Sequence, residues 1–217
     1  KLKTIDSLSP SRRLVAEFMI LANHLAATFA ARNDLPIIYR MQDKPSEPLK
    51  PPTTYDPLAN GEIFRKLKRS RFSLYPQAHA GLGIDAYTQF SSPIRRYADL
   101  VIQRQLTANF INTALPYDQT ELMRVLGVAE ASGGDSKDLE NKACRFYLLQ
   151  HLASLPREQP LPGIALMLAG GGQLVELSDY YCRGLLLGPN RAPPGTAISV
   201  RLKEVVPERD VLTFERV

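Results

Sequence analysis

Residues 86–106 read AYTQFSSPIRRYADLVIQRQL, and this stretch decides how the chain folds around it. Ser92 is a favourable N-cap residue and Pro93 suits the first helical position, so the pattern predicts a helix that begins here. Arg95 and Arg96 would then lie in the first helical turn. The helix macrodipole is positive at that end, and cations there are unfavourable by about 0.3–1 kcal/mol each.

Two explanations for these arginines are open. Asp99 stands four residues after Arg95 and three after Arg96, so a salt bridge could neutralise one of them. Such helix pairs contribute only about 0.2–0.5 kcal/mol. Alternatively, an anion occupies the helix end, because free backbone N–H groups and guanidinium groups together form a phosphate site.

Charge and composition narrow the class of protein. The chain has 217 residues and a net charge of +5, and a mild basic excess fits a polyanionic partner. The segment from Pro160 onward holds six basic and six acidic residues, so the excess lies in the first 159 residues. Two cysteines without a CxxC pattern exclude a disulfide framework and favour the cytoplasm. No apolar run reaches the roughly 20 residues of a membrane span, so we expect no membrane partner.

The first part of the chain reads as helical. Residues 10–33 carry apolar side chains at spacings of three and four, which predicts an amphipathic helix. Two later helices are predicted over 118–130 and 135–154, separated by the sequence SGGD. The predicted buried stripe of the first helix consists of Leu14, Phe18, Leu21, Leu25 and Phe29.

The last part of the chain reads as β-structure. After a proline-rich stretch at 154–163, five short β-type runs follow within about 55 residues and are divided by glycine-rich and proline-rich turns. This pattern predicts a small five-stranded barrel, of which the OB-fold is the common example. We therefore predict an α+β fold with domains at 1–155 and 156–217.

Three stretches carry a resemblance to a known family. Residues 78–106, AHAGLGIDAYTQFSSPIRRYADLVIQRQL, are similar to the signature of the ribonuclease II family, the RNB-type exoribonucleases. LVAEFMILAN at 14–23 and DLENKA at 138–143 resemble the same family more weakly, and the β-rich tail resembles an OB-fold RNA-binding domain of the ribosomal-protein S-one type. The matching positions of the first stretch are Gly81, Leu82, Tyr87, Phe90, Ser92, Pro93, Ile94, Arg95, Arg96, Tyr97, Asp99, Leu100, Arg104 and Leu106.

The resemblance implies the mainly helical C-terminal half of an RNB catalytic domain, followed by an OB-fold. It implies a processive enzyme that hydrolyses single-stranded RNA from its 3′ end to nucleoside 5′-monophosphates with Mg²⁺. Arg95 takes the place of the arginine that contacts the scissile phosphate, which makes it the implied catalytic residue. The residues expected to bind RNA are Arg96, Tyr87, Ser92, Tyr97, Glu17 and Glu140, with Tyr87 the aromatic side chain most expected to be exposed.

The chain also departs from the family pattern. Gln103 stands where the family commonly has histidine, and Gln42 where it often does; the family's aspartate cluster does not occur in these 217 residues. We therefore expect no metal ligand in this chain, Mg²⁺ ligands upstream, and a monomer completed by the N-terminal half of the same enzyme. The alternative is a non-catalytic RNA-binding protein that lacks the metal-binding carboxylates; a purely structural helical scaffold is a weaker third interpretation.

Overall fold

The structure, a computed structural model, describes residues 9–50, 52–189 and 191–217. Mixed helices and strands confirm the predicted α+β class. The helices are α1 (Pro10–Arg32), α2 (Pro57–Lys66), α3 (Tyr97–Phe110) and α4 (Gln119–Ala153); the strands are β1 (Tyr39–Met41), β2 (Arg71–Ser73), β3 (Leu161–Ala169), β4 (Gly172–Leu177), β5 (Cys182–Leu186), β6 (Ala197–Val206) and β7 (Val211–Arg216).

The chain forms two compact units. Among the described residues, the helical unit comprises 9–49 and 66–136, and the barrel unit comprises 50, 52–65, 137–189 and 191–217. The barrel unit is larger than the predicted tail because it includes α2 up to Arg65 and the C-terminal part of α4. The predicted domain boundary between residues 155 and 156 stays a prediction.

The core of the helical unit lies between β1 and α3. Ile37 and Ile38 enter β1, which pairs with β2 in an antiparallel ribbon, and both are fully buried. Val101 and Ile102 of α3 are buried in the same cluster, together with Leu122 from the start of α4. Burial of these β-branched and aliphatic side chains holds the segment before α3 in place.

The predicted buried stripe of α1 is wrong. The buried residues of the helix are Asn23, Ala27 and Ala30, which also lie at spacings of three and four but are small or polar. Of the predicted residues only Phe29 is partly buried, and the other four are largely exposed. The helix therefore packs by its narrow face and leaves its large apolar side chains uncovered within the described residues.

Helix α1 bears on the prediction that no apolar run is long enough to span a membrane. By length and composition alone it could cross a membrane, because an 18-residue window has a mean hydropathy of 1.5 and only 17% of it is buried. The expectation that no apolar run is long enough is therefore wrong for this helix. Core helices of soluble proteins and signal sequences have the same composition, so this measure alone does not make it a membrane helix.

The SGGD sequence does not interrupt α4. The helix continues for 35 residues through Gly133 and Gly134, neither of which has a positive φ. Each glycine costs about 1 kcal/mol relative to alanine in a helix interior, which is too little to break a helix whose two ends are packed. Leu122 and Val125 are buried at one end, and Leu149 and Leu152 at the other.

The five predicted strands close into a barrel in the order β3-β4-β5-β7-β6. All neighbours are antiparallel except β5 and β7, which pair in parallel with Leu185 opposite Thr213. Alternate side chains point inward, and Val175, Val200 and Phe214 are fully buried. The predicted five-stranded barrel is confirmed.

Gly184 marks the tightest point of this barrel. A Cβ at this position would lie 2.6 Å from Cε2 of Phe214 and 2.8 Å from the backbone oxygen of Leu212. We predict that Gly184→Ala lowers the free energy of unfolding by about 1–3 kcal/mol, because backbone and ring must shift. Gly133→Ala is the matched control, since nothing lies within 4 Å of its Cβ and alanine favours the helix. Urea denaturation of both variants checks this; equal effects would contradict the crowding.

Candidate functional site

The segment that leads into the SPIRR motif is fixed by buried hydrogen bonds. Asn23 of α1 is buried, donates from Nδ2 to the hydroxyl of Tyr87 at 3.1 Å and accepts the backbone N–H of Phe90 at 3.2 Å. Thr88 donates from Oγ1 to the carbonyl of Ile38 at 2.6 Å. These bonds set the position from which the motif begins.

The two glutamines that replace family histidines also have structural roles. Gln103 of α3 donates from Nε2 to the carbonyl of Phe90 at 2.8 Å. Gln42 donates to the carbonyl of Lys68 at 2.7 Å and accepts the N–H of Gly81 at 2.9 Å. An amide can donate and accept at once, so both side chains fix loops around the motif.

Helix α3 begins at Tyr97, four residues after Pro93, the predicted first helical position. Pro93, Ile94 and Arg95 form a turn, in which the N–H groups of Arg95 and Arg96 both bind the carbonyl of Ser92, at 3.2 and 3.0 Å. Arg96 then adopts an extended conformation, with φ −127° and ψ 112°, and becomes the N-cap. The prediction that both arginines lie in the first helical turn is wrong, because this closed turn comes first.

Asp99 holds the turn onto the helix. Its side chain is 1% exposed and accepts the backbone N–H of Ser92 at 2.8 Å. Arg96 donates from Nε to Oδ1 at 2.8 Å and from Nη2 to Oδ2 at 2.7 Å, a bidentate pair. Charge-assisted bidentate bonds of this kind are roughly twice as strong as neutral ones. The salt-bridge explanation therefore holds for Arg96.

Arg95 is left facing solvent. The residue is exposed, and no ion pair or hydrogen bond to its guanidinium is found in the described part of the chain. Within the same described residues, the N–H groups of Tyr97 and Ala98, which open α3, have no backbone acceptor. An unpaired guanidinium in the turn before a helix start with free amides is suited to binding an anion.

A further arginine adds positive charge nearby. Arg40 at the middle of β1 is partly buried, lies 4.6 Å from the ring centroid of Phe72 and donates to the hydroxyl of Ser70. Burial lowers the pKa of its guanidinium, and the positive charge of Arg96 lowers it further. Arg40 follows the stretch at 14–23 that resembles the family, but its contacts with Phe72 and Ser70 could not be predicted from the sequence.

Two aromatic residues near the motif differ in exposure. Tyr97 is half exposed at the start of α3. The prediction that Tyr87 is exposed is wrong: it is 7% exposed, bonded to Asn23, and its ring lies edge-on to His79 at 5.5 Å. Burial lowers the pKa of His79, and the charge of Arg40 acts in the same direction, which leaves a neutral imidazole against Tyr87.

The two glutamates predicted to bind RNA lie in different units. Glu17 is exposed on the uncovered half of α1, in the helical unit. Glu140 is exposed on α4 in the barrel unit and accepts from Nζ of Lys137 at 2.9 Å. Their contacts with RNA, like those of Ser92, Arg96, Tyr87 and Tyr97, stay predictions.

The residues present do not form a magnesium site. Within 9–50, 52–189 and 191–217, no three His, Cys, Asp or Glu side chains come together in a way that could hold a metal ion. The carboxylate nearest the turn, Asp99, already accepts three hydrogen bonds. Mg²⁺ needs several oxygen ligands or waters, and Asp99 cannot supply these.

Comparison with known proteins agrees with this geometry. The RNB domain family matches residues 2–50 and 47–112, and the chain belongs to that family. The Synechocystis protein named "Uncharacterized ribonuclease sll1290" is 30% identical over 223 residues, a match that covers 97% of this chain and 32% of that protein. The resemblance noted in the sequence is confirmed.

Solved structures of exoribonucleases and of a pseudonuclease share the fold of this chain. An active-site mutant of the Dss1 exoribonuclease from Candida glabrata matches with a TM-score of 0.79 and 25% identity, over 95% of this chain and 29% of that one. Mycoplasma genitalium RNase R in complex with ribose-methylated single-stranded RNA matches with a TM-score of 0.73 and 17% identity, over 100% and 43%. Yeast Ssd1, a pseudonuclease, matches with a TM-score of 0.61 and 16% identity, over 79% and 26%. The chain spans between 26% and 43% of the length of these relatives.

Asp99 stabilises the turn, whereas Arg95 does not bind Asp99, so replacing the two residues should affect stability differently. We predict that Asp99→Ala lowers the free energy of unfolding by about 1–3 kcal/mol, because it leaves the guanidinium of Arg96 and the N–H of Ser92 without their partner. Arg95→Ala should change it by less than about 0.5 kcal/mol, since its side chain has no recorded partner. Urea denaturation measures both. A destabilisation by Arg95→Ala as large as that by Asp99→Ala would contradict the assignment.

Proposed function

We propose that this chain is part of a hydrolytic exoribonuclease that degrades single-stranded RNA processively from its 3′ end to nucleoside 5′-monophosphates. The observation that carries the proposal is the pairing of Asp99 with Arg96, which leaves the guanidinium of Arg95 uncommitted at the start of α3. In this reaction water adds to the terminal phosphorus and the bond to the preceding 3′ oxygen breaks. The shortened strand keeps a 3′ hydroxyl.

The chemistry of Arg95 suits the scissile phosphate. A guanidinium is planar and permanently charged, so its N–H groups can bind two phosphate oxygens while negative charge builds in the transition state. Arg96 shapes the turn and adds positive potential, and Ser92 closes the turn through its backbone. We assign Arg95 the catalytic contact and these two residues the neighbouring contacts with the strand.

The remaining RNA contacts belong to the surface around the turn. Tyr97 has an exposed ring on which a base can stack. Lys68 and Arg69 are exposed and their side chains have no recorded partner in the described ranges, so they can attract the phosphate backbone. Glu17 and Glu140 complete the proposed set, and the ring of Tyr87 reaches RNA only if its bond to Asn23 opens.

In this proposal the metal site lies outside these 217 residues. The full enzyme needs Mg²⁺, held by carboxylates upstream of the 217 residues. We propose that this upstream portion covers the exposed apolar face of α1, because Leu14, Phe18 and Leu21 would otherwise face water. The solved relatives contain more than half of their length outside the matched region, so they have chain available for such a role.

We further place the enzyme in the cytoplasm, as a monomer, with the barrel as an OB-fold RNA-binding domain. A second candidate function is RNA binding without catalysis. The match to the pseudonuclease Ssd1 favours it. The presence or absence of an upstream aspartate cluster in the coding sequence distinguishes the two.

Removing the guanidinium of Arg95 tests the catalytic proposal. In the full-length protein with Mg²⁺ and 3′-end-labelled RNA, we predict that Arg95→Ala lowers the rate of monophosphate release by orders of magnitude and keeps most of the affinity for RNA. Arg95→Lys should restore little activity, because an ammonium is a point charge. Arg124→Ala is the matched control, because Arg124 is an exposed arginine on α4 with no part in the proposed site, and it should keep nearly full activity. An Arg95→Ala enzyme as active as the wild type would remove this residue from the chemistry.

The uncovered face of α1 gives a separate test. Phe18→Asp should leave the free energy of unfolding of the 217-residue chain nearly unchanged, because Phe18 is 62% exposed. In the full-length protein the same change should cost about 3–5 kcal/mol, since a charge then enters an apolar contact.

Leu139→Asp is the control for this test, because Leu139 is 69% exposed on α4. Equal effects of Phe18→Asp in the two proteins would contradict the docking proposal. Co-flotation of the wild-type chain with phospholipid vesicles would assign the face to a membrane, and a concentration-dependent dimer in sedimentation would assign it to a second copy.

A further inference from the structure

The barrel unit contains a cavity of about 420 Å³ that the proposed catalytic site does not use. Its walls come from β4, β5, the C-terminal part of α4 and the segment before α2. Its lining includes Tyr55, Arg145, Glu176, Tyr181 and Arg183. The volume lies in the range of small-ligand sites, which is about 300–1,000 Å³.

A buried carboxylate forms the floor of this cavity. Glu176 is 3% exposed; its Oε1 accepts a hydrogen bond from the hydroxyl of Tyr55, and its Oε2 accepts one from Nε of Arg183 at 2.7 Å. Burial and this hydrogen bond raise the pKa of Tyr55 to about 12, so its hydroxyl remains a donor at neutral pH. Glu176 therefore orients Tyr55 and Arg183 and has no free oxygen to act as a base.

Two guanidinium groups face the cavity with unused donors. Arg183 binds Glu176 through Nε alone, and its Nη groups have no recorded partner in the part of the chain that the structure describes. Arg145 forms an ion pair with Asp210 through Nε and donates from Nη1 to the carbonyl of Arg183 at 3.1 Å. Its Nη2 has no recorded partner within the same ranges. Planar donors of this kind fit the oxygens of a phosphate.

An exposed aromatic ring stands beside these donors. Tyr181 is 64% exposed, and its ring contacts Tyr55 edge-to-face at 4.8 Å and 87°. Its backbone has a φ of +50°, which is uncommon for a residue other than glycine and costs about 1 kcal/mol or more. The N–H of Tyr181 binds the carbonyl of Leu177 at 2.8 Å and holds this conformation. A tyrosine therefore occupies a position whose backbone conformation glycine would adopt with less strain.

We propose that this cavity is a nucleotide subsite for single-stranded RNA, in which one base stacks on Tyr181 and the adjacent phosphate binds the free N–H groups of Arg183 and Arg145. The proposal rests on the proposed function, and it adds a place on the barrel where the strand is held. The ring of Tyr181 can stack on a base, and the neighbouring guanidinium groups can bind the phosphate joined to that base. An acidic peptide would use the arginines and leave the ring without a partner.

The charges of the subsite predict how it binds. Arg145 and Arg183 are balanced by Glu176 and Asp210, so few counterions are released when RNA arrives. Stacking then supplies most of the affinity, and this part of the binding should depend little on salt. Cys182 adds no reactive group, because burial raises the pKa of its thiol.

Fluorescence anisotropy of the 217-residue chain with a labelled adenylate hexamer tests the subsite. Tyr181→Ala should weaken binding about tenfold, by the same factor at 50 and 200 mM salt, whereas Tyr181→Phe should bind like the wild type. The alanine and phenylalanine variants share the unfavourable φ, so the comparison isolates the ring. Tyr147→Ala is the matched control, since Tyr147 is 62% exposed on α4 of the same unit and lies outside the cavity.

Each other outcome overturns the subsite. These outcomes are no binding of the hexamer, an unchanged affinity of Tyr181→Ala, an equal loss in Tyr147→Ala, or displacement of the hexamer by oligoglutamate. The nuclease proposal fails independently, in the activity of the Arg95 variant. A stacking loss at Tyr181 together with an active Arg95→Ala enzyme would keep the subsite and reject the catalytic assignment.

Discussion

The buried carboxylate of Asp99 determines how the rest of the site is arranged. It binds Arg96 through two hydrogen bonds and the N–H of Ser92 through a third. A buried charge is tolerated only when it is paired and hydrogen-bonded, so Asp99 forces one arginine to turn inward. Because the turn between Ser92 and Arg96 is tight, the preceding arginine must turn outward. The interaction with Asp99 therefore gives Arg96 a structural role and leaves the guanidinium of Arg95 available for a ligand.

Part of this arrangement could be predicted from the sequence. The five short β-type runs lie between clear glycine and proline turn signals, and each became a strand of the barrel. The position of Asp99 after the two arginines indicated a salt bridge. Its choice of Arg96 over Arg95 could not be predicted, because it depends on the turn at Pro93–Arg95, which delays the helix to Tyr97.

Other failures have specific physical causes. The spacing of Leu14, Phe18, Leu21 and Leu25 indicates an apolar stripe but does not say what covers it, and the helix packs by Asn23, Ala27 and Ala30 instead. Tyr87 next to a motif is as compatible with a buried hydroxyl as with a stacking ring, and the amide of Asn23, 64 residues away, decides between them. Long-range partners of this kind leave no local pattern in one sequence.

The central claim is that Arg95 binds a phosphate through its guanidinium. The most direct measurement is the affinity of the full-length protein, with divalent metal removed by a chelator, for RNA that carries a neutral methylphosphonate at the 3′-terminal linkage. We expect the neutral linkage to weaken binding to the wild type and to have no effect on Arg95→Ala, because the partner charge is already gone. An equal loss of affinity in both proteins would show that a group other than Arg95 holds this phosphate.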